Sequence, residues 1–547
     1  MLQVPRLLQP QQHTNIMIVI KKYINIILSL CLLAFYLLLS WLIHRTGFEH
    51  SEALFMAEKT KILFEAENNT LLTLGTTFPT ISFLSAIVFS PFGNLFAPIL
   101  ASASFMVLLF FFILNDFGTS KLPKRVYLTV TCLLFVFHPG FLYAAISGRS
   151  VGAVMMFFYL VFRSLFNFYR TQISYYLSMA SIYLSFLVFC DYNFIWLILS
   201  FFPFIILVSI EGLKLSKAPP ILQYFESVNT PSQRRKLTNR TLALYVIIFL
   251  LPIGALFLFR TLNFYHAGDT TYFLTSQYAN WHATGNISIA DLVNSSKIDN
   301  VIQQIQLVFQ VYVLILTPLL VVVFLFFRGR MYELFTLISP FILLSIILLD
   351  DQFYITVEYY LIFVVLALIG LCFYGGVKYK HKLWSLVIIC ATILNVFTGI
   401  IYFNRTSDPE ESYFFSSLKQ VRHLQSERTT NEEIRVATFI SNLATPTNKI
   451  LIDDAAAYKI MAHLRSLKSV IMPINDNFLT VVENPKINAK YVCIAKFSNN
   501  LKNYTVLNYF NLNKQLEANM FIPVLMFETA NWAVYKIDPP RILAAGN

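Results

Sequence analysis

His44-Arg45-Thr46-Gly47-Phe48-Glu49-His50-Ser51-Glu52 decides how this chain reads. The stretch follows an apolar run at residues 24–43, long enough for a helix to cross the roughly 30 Å hydrocarbon core of a bilayer. The polar character continues to residue 76, and then apolar runs dominate as far as residue 402. Across 547 residues, 57% are hydrophobic and only 13% are charged. Soluble domains carry about a quarter charged residues, so the chain reads as a polytopic membrane protein.

The net charge of +12 does not point to nucleic acid. The basic residues gather in short loops between apolar runs, which is the positive-inside signature of a membrane protein. The six cysteines form no CxxC pair and most lie in or beside apolar segments, where they read as small core residues. No small-residue cleavage site follows the first apolar run, so that run is expected to be a retained helix.

Lys21 and Lys22 precede the first span and place the N-terminus in the cytoplasm, with residues 44–76 outside. Residues 78–92 are apolar but short, and they contain Pro79 and Pro91. At 1.5 Å per residue they rise about 22 Å, so they are expected to lie in the outer interface. Spans follow at 95–115, 126–145, 151–168, 174–190, 194–213, 241–260, 303–327, 334–349, 360–376 and 384–402. With these, Lys121, Lys124, Arg125, Arg170, the 214–240 cluster, Arg328, Arg330, Lys378, Lys380 and Lys382 all fall inside. That gives about eleven spanning helices in a transmembrane domain over 1–403. From 404 to 547 the composition becomes that of a soluble domain. Alternating segments, including strand 449–453, helix 455–464 and strand 490–495, suggest a small extracytoplasmic α/β sheet domain. No glycine-rich phosphate loop opens its helices.

The fold class is therefore an all-α polytopic membrane protein with a small C-terminal α/β domain. Ionisable residues at the outer helix ends are the candidate site: Glu49, His50 and Glu52, then Arg149, Asp191, His266 and Asp269, with Asp350, Asp351 and Glu358. Such groups are costly near a membrane and mark sites or pathways. Their gathering on one face implies a shared pocket under the C-terminal domain. Glu49 and Glu52 are three apart and would share a helix face. Their competing reading is a pair of solvated acids on an interfacial helix. Arg149 could instead anchor a helix end, and Asp191 could begin a turn or cap a helix. Asp350 and Asp351 could hold a divalent cation with Glu358, although no further ligand pattern accompanies them. His138-Pro139-Gly140 reads as a kink, and Asp453-Asp454 as a helix cap.

These features together resemble the GT-C membrane glycosyltransferases, a superfamily that includes protein O-mannosyltransferases and bacterial aminoarabinose transferases. The resemblance rests on the acids of the first outer loop and on the proline-marked Phe78-Pro79-Thr80 and Ser90-Pro91-Phe92-Gly93. Phe137-His138-Pro139-Gly140-Phe141-Leu142-Tyr143 and the pattern from Ile450 to Lys536 add to it. It implies transfer of a sugar from a polyprenyl-phosphate carrier to an acceptor on the extracytoplasmic face of a bacterial inner (cytoplasmic) membrane. Glu49 or Glu52 would be the general base, or a metal ligand as in metal-dependent members. Arg149 would contact the carrier phosphate, and His50, Asp191 and His266 would line the substrate pocket. The family usually places Asp in this loop, whereas this chain has Glu-His-Ser-Glu, and Arg149 stands where an acid is frequent. These departures keep open the alternative of a non-catalytic GT-C-like subunit whose exported domain docks a protein partner. A transporter is the weakest reading, since the ionisable residues avoid the membrane midplane.

Overall fold

In the computed structural model the described residues are 9–66, 70–117, 122–213, 225, 228–280, 312–327, 330–347, 357–373, 381–406, 408–423, 431–484, 488–496, 505–506 and 522–538. The first polar stretch separates α1 (Gln9–His44) from α2 (Ser51–Glu65), and α3 (Thr70–Thr76) and α4 (Thr80–Phe89) follow. The bundle continues with α5 (Ala97–Phe117), α6 (Lys124–Cys132), α7 (Pro139–Ile146), α8 (Val151–Thr171) and α9 (Ser174–Cys190). Next come α10 (Leu197–Ser200), α11 (Phe202–Leu213), α12 (Pro231–Ala267) and the short α13 (Tyr272–Thr275). It closes with α14 (Pro318–Phe326), α15 (Met331–Ile347), α16 (Val357–Phe373) and α17 (His381–Arg405).

Every described residue of α16 is buried, and so are 16 of the 21 residues of α8. A helix that is apolar all round belongs at the centre of a bundle, and these two form that centre. By contrast, Leu250, Phe257 and Leu258 of α12 are 68%, 73% and 64% exposed. A helix showing such side chains outward faces lipid. Among the described residues five helices are long and apolar enough to cross a membrane, or seven if two bent pairs each count as one span. The chain is thus a multi-pass membrane protein, with shorter apolar helices packed among the long ones.

Two expected spans differ in shape from the expectation. The 126–145 run is broken: α6 and α7 meet at a 61° bend. The cause is local. Pro139 cannot continue a helix, and His138 starts a new one by accepting from Gly140 N through Nδ1 at 3.2 Å. The 194–213 run is also broken, by 41°. The 78–92 stretch is short, as its length suggested, with α4 running into a single tight turn over Ser90–Phe92.

After α17 come α18 (Pro409–His423), α19 (Glu432–Leu443), β1 (Lys449–Leu451), α20 (Asp454–His463), β2 (Val470–Ile471), α21 (Phe478–Glu483), β3 (Ala489–Ala495), β4 (Ile522–Glu528) and β5 (Trp532–Asp538). The strands make one mixed sheet in the order β2-β1-β3-β5-β4, parallel from β2 to β3 and antiparallel beyond. Asp453 caps α20, accepting from Ala455 N at 3.0 Å, as its place after a strand suggested.

Helix α2 joins this α/β unit to the bundle. Residues 51–62 are all buried, because α2 lies between α4 and α5 on one side and α20 on the other. Leu54, Phe55 and Ala57 meet Phe83 and Ala97 of the bundle and Tyr458 and Ala462 of α20. Polar contacts tighten the joint. Lys59 Nζ is 2.6 Å from Asp454 Oδ2, Lys61 Nζ donates to the Ala462 carbonyl at 2.7 Å, and Glu65 accepts from Leu467 N at 2.7 Å. The Lys61 contact serves the free carbonyls at the C-terminal end of α20.

Candidate functional site

The site is built where α1 turns into α2. Gly47, with φ of +87°, makes this turn in a backbone conformation that glycine adopts without strain. His50 then caps α2, its Nδ1 accepting from Glu52 N at 3.1 Å. With Nδ1 occupied as an acceptor, Nε2 carries the ring proton. It lies 2.8 Å from Glu410 Oε2 and 2.8 Å from the Tyr143 hydroxyl. Glu410 also accepts from Ser51, through N at 3.0 Å and through Oγ. Burial would raise the Glu410 pKa, but His50 and Ser51 outweigh it and hold the carboxyl well below its usual range.

The cap separates the two glutamates of the first loop. The helix starts at Ser51, so Glu49 precedes it, and the shared face expected from their spacing does not form. Glu49 turns to the α/β unit, where His463 Nε2 is 2.9 Å from its Oε2, with His44 at 3.7 Å. Burial would raise its pKa, yet His463 and His44 lower it below the ordinary carboxylate value. Glu52 turns inward. Its Oε2 accepts from Arg149 Nε and its Oε1 from Ser150 N, each at 2.9 Å. Glu52 is buried and Glu49 is half-buried against His463, so neither is a fully solvated surface group.

Gly148 lets the 147–150 loop press onto α2. Its φ is +76°, and a Cβ there would stand 2.7 Å from the Ala53 Cβ. The loop therefore delivers Arg149 and the N–H of Ser150, the N-cap of α8, directly to Glu52. A carboxylate at a helix N-terminus is favoured by the helix dipole. Arg149 Nη2 also reaches Glu358 Oε2, on the first turn of α16, at 3.7 Å. Burial opposes the Arg149 charge, but Glu358, Tyr143 and Glu52 more than offset it.

Asp191 completes the cluster. Its Oδ1 accepts from Asn193 N at 2.9 Å, the turn-starting role that the sequence allowed, and its Oδ2 accepts from the Tyr359 hydroxyl at 2.5 Å. Burial raises its pKa, while Arg149 lowers it and Glu52 raises it, which puts all three groups within electrostatic reach. Beside them, Glu411 accepts from Val357 N at 2.8 Å and so holds the start of α16. Burial and the charge of Asp408 push Glu411 up to about 7.

Of the sequence-predicted residues, Glu52, Arg149 and Asp191 come together, and Glu49 and His50 sit at the edge of the cluster. Glu49 and His50 line a cleft of about 400 Å³ between α1, α2 and α5. His266 does not join them: it ends α12, with its ring against Gly75 of α3. Asp269 accepts from Thr271 and Thr275 at the following turn. Asp350 and Asp351 lie outside the described residues. The partners missed by sequence reasoning are Tyr143, Tyr359, Glu410 and His463; Glu358 was noted only as a cation ligand. Among the described residues no three His, Cys, Asp or Glu side chains gather to hold a metal ion. With Glu52 and Glu358 both turned to Arg149, the centre does not fit a metal.

As a class, the molecule is a multi-pass helical membrane protein whose small α/β unit closes over one end of its bundle. The chain is similar to ArnT from Cupriavidus metallidurans, bound to undecaprenyl phosphate, with 10% identity and a TM-score of 0.45 over 92% of this chain and 97% of that one. The apo form of the same protein gives 9% identity, a TM-score of 0.44 and the same coverage. The apo oligosaccharyltransferase of Archaeoglobus fulgidus gives 11% identity and a TM-score of 0.36 over 94% of this chain and 74% of that one. No protein-family model and no curated protein matches the sequence.

Proposed function

We propose that the chain moves a sugar from a polyprenyl-phosphate carrier to an acceptor hydroxyl on the extracytoplasmic face, with Glu52 as the base and Arg149 as the phosphate contact. The observation that carries this reading is the buried meeting of Glu52 and Glu358 on one arginine, with Asp191 within electrostatic reach. Glu52 accepts two hydrogen bonds, but a carboxylate has about four lone-pair sites. Room is left for an acceptor hydroxyl to donate to it and lose its proton there. Arg149 is held more loosely by Glu358, at 3.7 Å, than by Glu52, at 2.9 Å. A carrier phosphate would take the Glu358 position on the guanidinium while Glu52 keeps its place. Glu49, occupied by His463, would orient the loop, and His50 would fix the start of α2.

One observation favours a second reading, a non-catalytic subunit that docks a protein partner through the α/β unit. Arg149 already spans two carboxylates, so its guanidinium is engaged within the protein. The experiment follows from the contrast. Purified protein in lipid nanodiscs is given undecaprenyl-phosphate-linked hexose and pentose donors, a carrier of the kind named for the ArnT structure. Donor consumption and undecaprenyl phosphate binding are both measured. Transfer that falls at least about a hundredfold in Glu52→Gln supports the base. Transfer at normal rates in both Glu52→Gln and Arg149→Ala overturns the assignment. Failure of the unmodified protein to bind the carrier at all leaves the docking subunit.

A further inference from the structure

The start of α2 is held from outside the helix, and its bonds lead back to one carboxylate on α18. The first N–H groups of an α-helix have no partner within the helix. In α2 the Ser51 N–H donates to Glu410 Oε1 at 3.0 Å, and the Glu52 N–H donates to His50 Nδ1 at 3.1 Å. The Ser51 hydroxyl donates to the same Glu410 oxygen, and His50 Nε2 lies 2.8 Å from the other, Oε2. Glu410 comes from the first turn of α18, 359 residues from Ser51. Among the described residues its carboxylate bonds His50 and Ser51, the two residues before Glu52, and neither Glu52 nor Arg149.

The chemistry of this carboxylate decides what His50 can do. A neutral imidazole has one N–H and one lone pair. The Glu52 N–H needs the lone pair at Nδ1, so the ring proton must sit on Nε2. Two oxygens face Nε2, Glu410 Oε2 and the Tyr143 hydroxyl, each at 2.8 Å. A hydroxyl donates as readily as it accepts, so Tyr143 alone would leave the tautomer open. An ionised carboxylate only accepts. Burial raises the Glu410 pKa, but His50, Ser51 and Lys459 of α20 lower it further and keep the group ionised. Glu410 therefore fixes the proton on Nε2. A proton on Nδ1 would face the Glu52 N–H, donor against donor, and the cap would open. His50 is buried, so little water is at hand to replace the lost bond.

We propose that Glu410 is a positioning residue for the transfer: by fixing the His50 tautomer and the Ser51 N–H, it places the Glu52 carboxylate. The inference rests on Glu52 acting as the base. A shift of about 1 Å at the reacting groups costs up to about a hundredfold, so Glu410→Leu should lower kcat at least about tenfold. The dissociation constant of undecaprenyl phosphate, held by Arg149, should change far less. Two further measurements separate positioning from support of the fold. Nitrogen NMR on the full chain in lipid nanodiscs, with isotope-labelled histidine, should show His50 protonated on Nε2. The signal is assigned by its absence in His50→Asn, and in Glu410→Leu it should become a mixture of tautomers. Asparagine caps a helix without a tautomer, so adding His50→Asn should restore most of the turnover lost in Glu410→Leu. A His50 ring protonated on Nδ1 in the unmodified protein overturns the proposal. So does unchanged turnover or an unchanged His50 signal in Glu410→Leu, an equal loss of turnover and carrier binding, or no rescue by His50→Asn; each leaves Glu52 as the base. If the unmodified protein transfers no sugar, the reading at Glu52 fails and this role falls with it.

Discussion

Replacing Arg149 with methionine tests whether the cluster is held together by its single cation. The Arg149, Glu52 and Glu358 side chains are 10%, 6% and 6% exposed, so all three charges are shielded from water. At 2.9 and 3.7 Å, the two contacts are worth gross attractions of about 6 and 4–5 kcal/mol at an effective dielectric near 20. Desolvation consumes most of that gain while the pairs are intact. Removing the arginine alone is different, because it leaves Glu52 and Glu358 buried, facing each other and Asp191 without a counter-charge. The expected loss is about 3–5 kcal/mol of stability. Arg149→Lys keeps the charge but not the planar fork, and should cost less. Arg149→Met combined with Glu52→Gln and Glu358→Gln should recover much of the loss, because the two carboxylates that contacted the arginine are then neutral. The assay is denaturant unfolding in mild detergent, followed by tryptophan fluorescence. A loss below about 1 kcal/mol in Arg149→Met, or no recovery in the triple variant, would refute the argument that buried charge balance holds this centre.

Other outcomes follow from the same geometry. Glu411, pushed up to about 7, holds a proton in the folded state that the unfolded chain releases near its ordinary value. Stability should therefore fall as pH rises through roughly 4.5 to 7, by about 3 kcal/mol, and Glu411→Gln should flatten that slope in thermal midpoints taken from pH 5 to 8. Glu49 and Glu410 are shifted the other way, so their stabilisation is present above the ordinary carboxylate range and lost as pH falls through their lowered values. The Glu49→Gln/Glu410→Gln double variant should show a shallower acid limb in the same measurement. Lys59→Met removes the ammonium between Glu58 and Asp454, so limited proteolysis should cut the α/β unit faster; an unchanged cleavage rate would mean that the apolar contacts alone hold the joint. Cysteine labels at Ser232 and Asn477 should react from opposite sides of the membrane, and reaction of both from one side would refute the proposed topology.

Much of the architecture was legible without coordinates because its causes are local. A backbone in lipid must satisfy its own hydrogen bonds, so the number and length of apolar runs announce a helical membrane bundle. The β and α periods after residue 404 announce the small sheet. Pro139 and Asp453 announce the break and the cap that are found there, since both act within a turn of their own position. The site was legible only as a set of polar residues at helix ends. Which of them meet is a matter of packing between elements far apart in the chain. Glu52 finds Arg149 97 residues away, Ser51 finds Glu410 359 away, and Lys59 finds Asp454 395 away. No sequence period encodes such pairs. The His50 cap sent Glu49 and Glu52 in opposite directions, and the pressing of Gly148 onto Ala53 brought Arg149 within reach. Local chemistry determined the elements and their ends. Only the tertiary structure decided which buried charge answers which, because burial makes an unanswered charge too costly to keep.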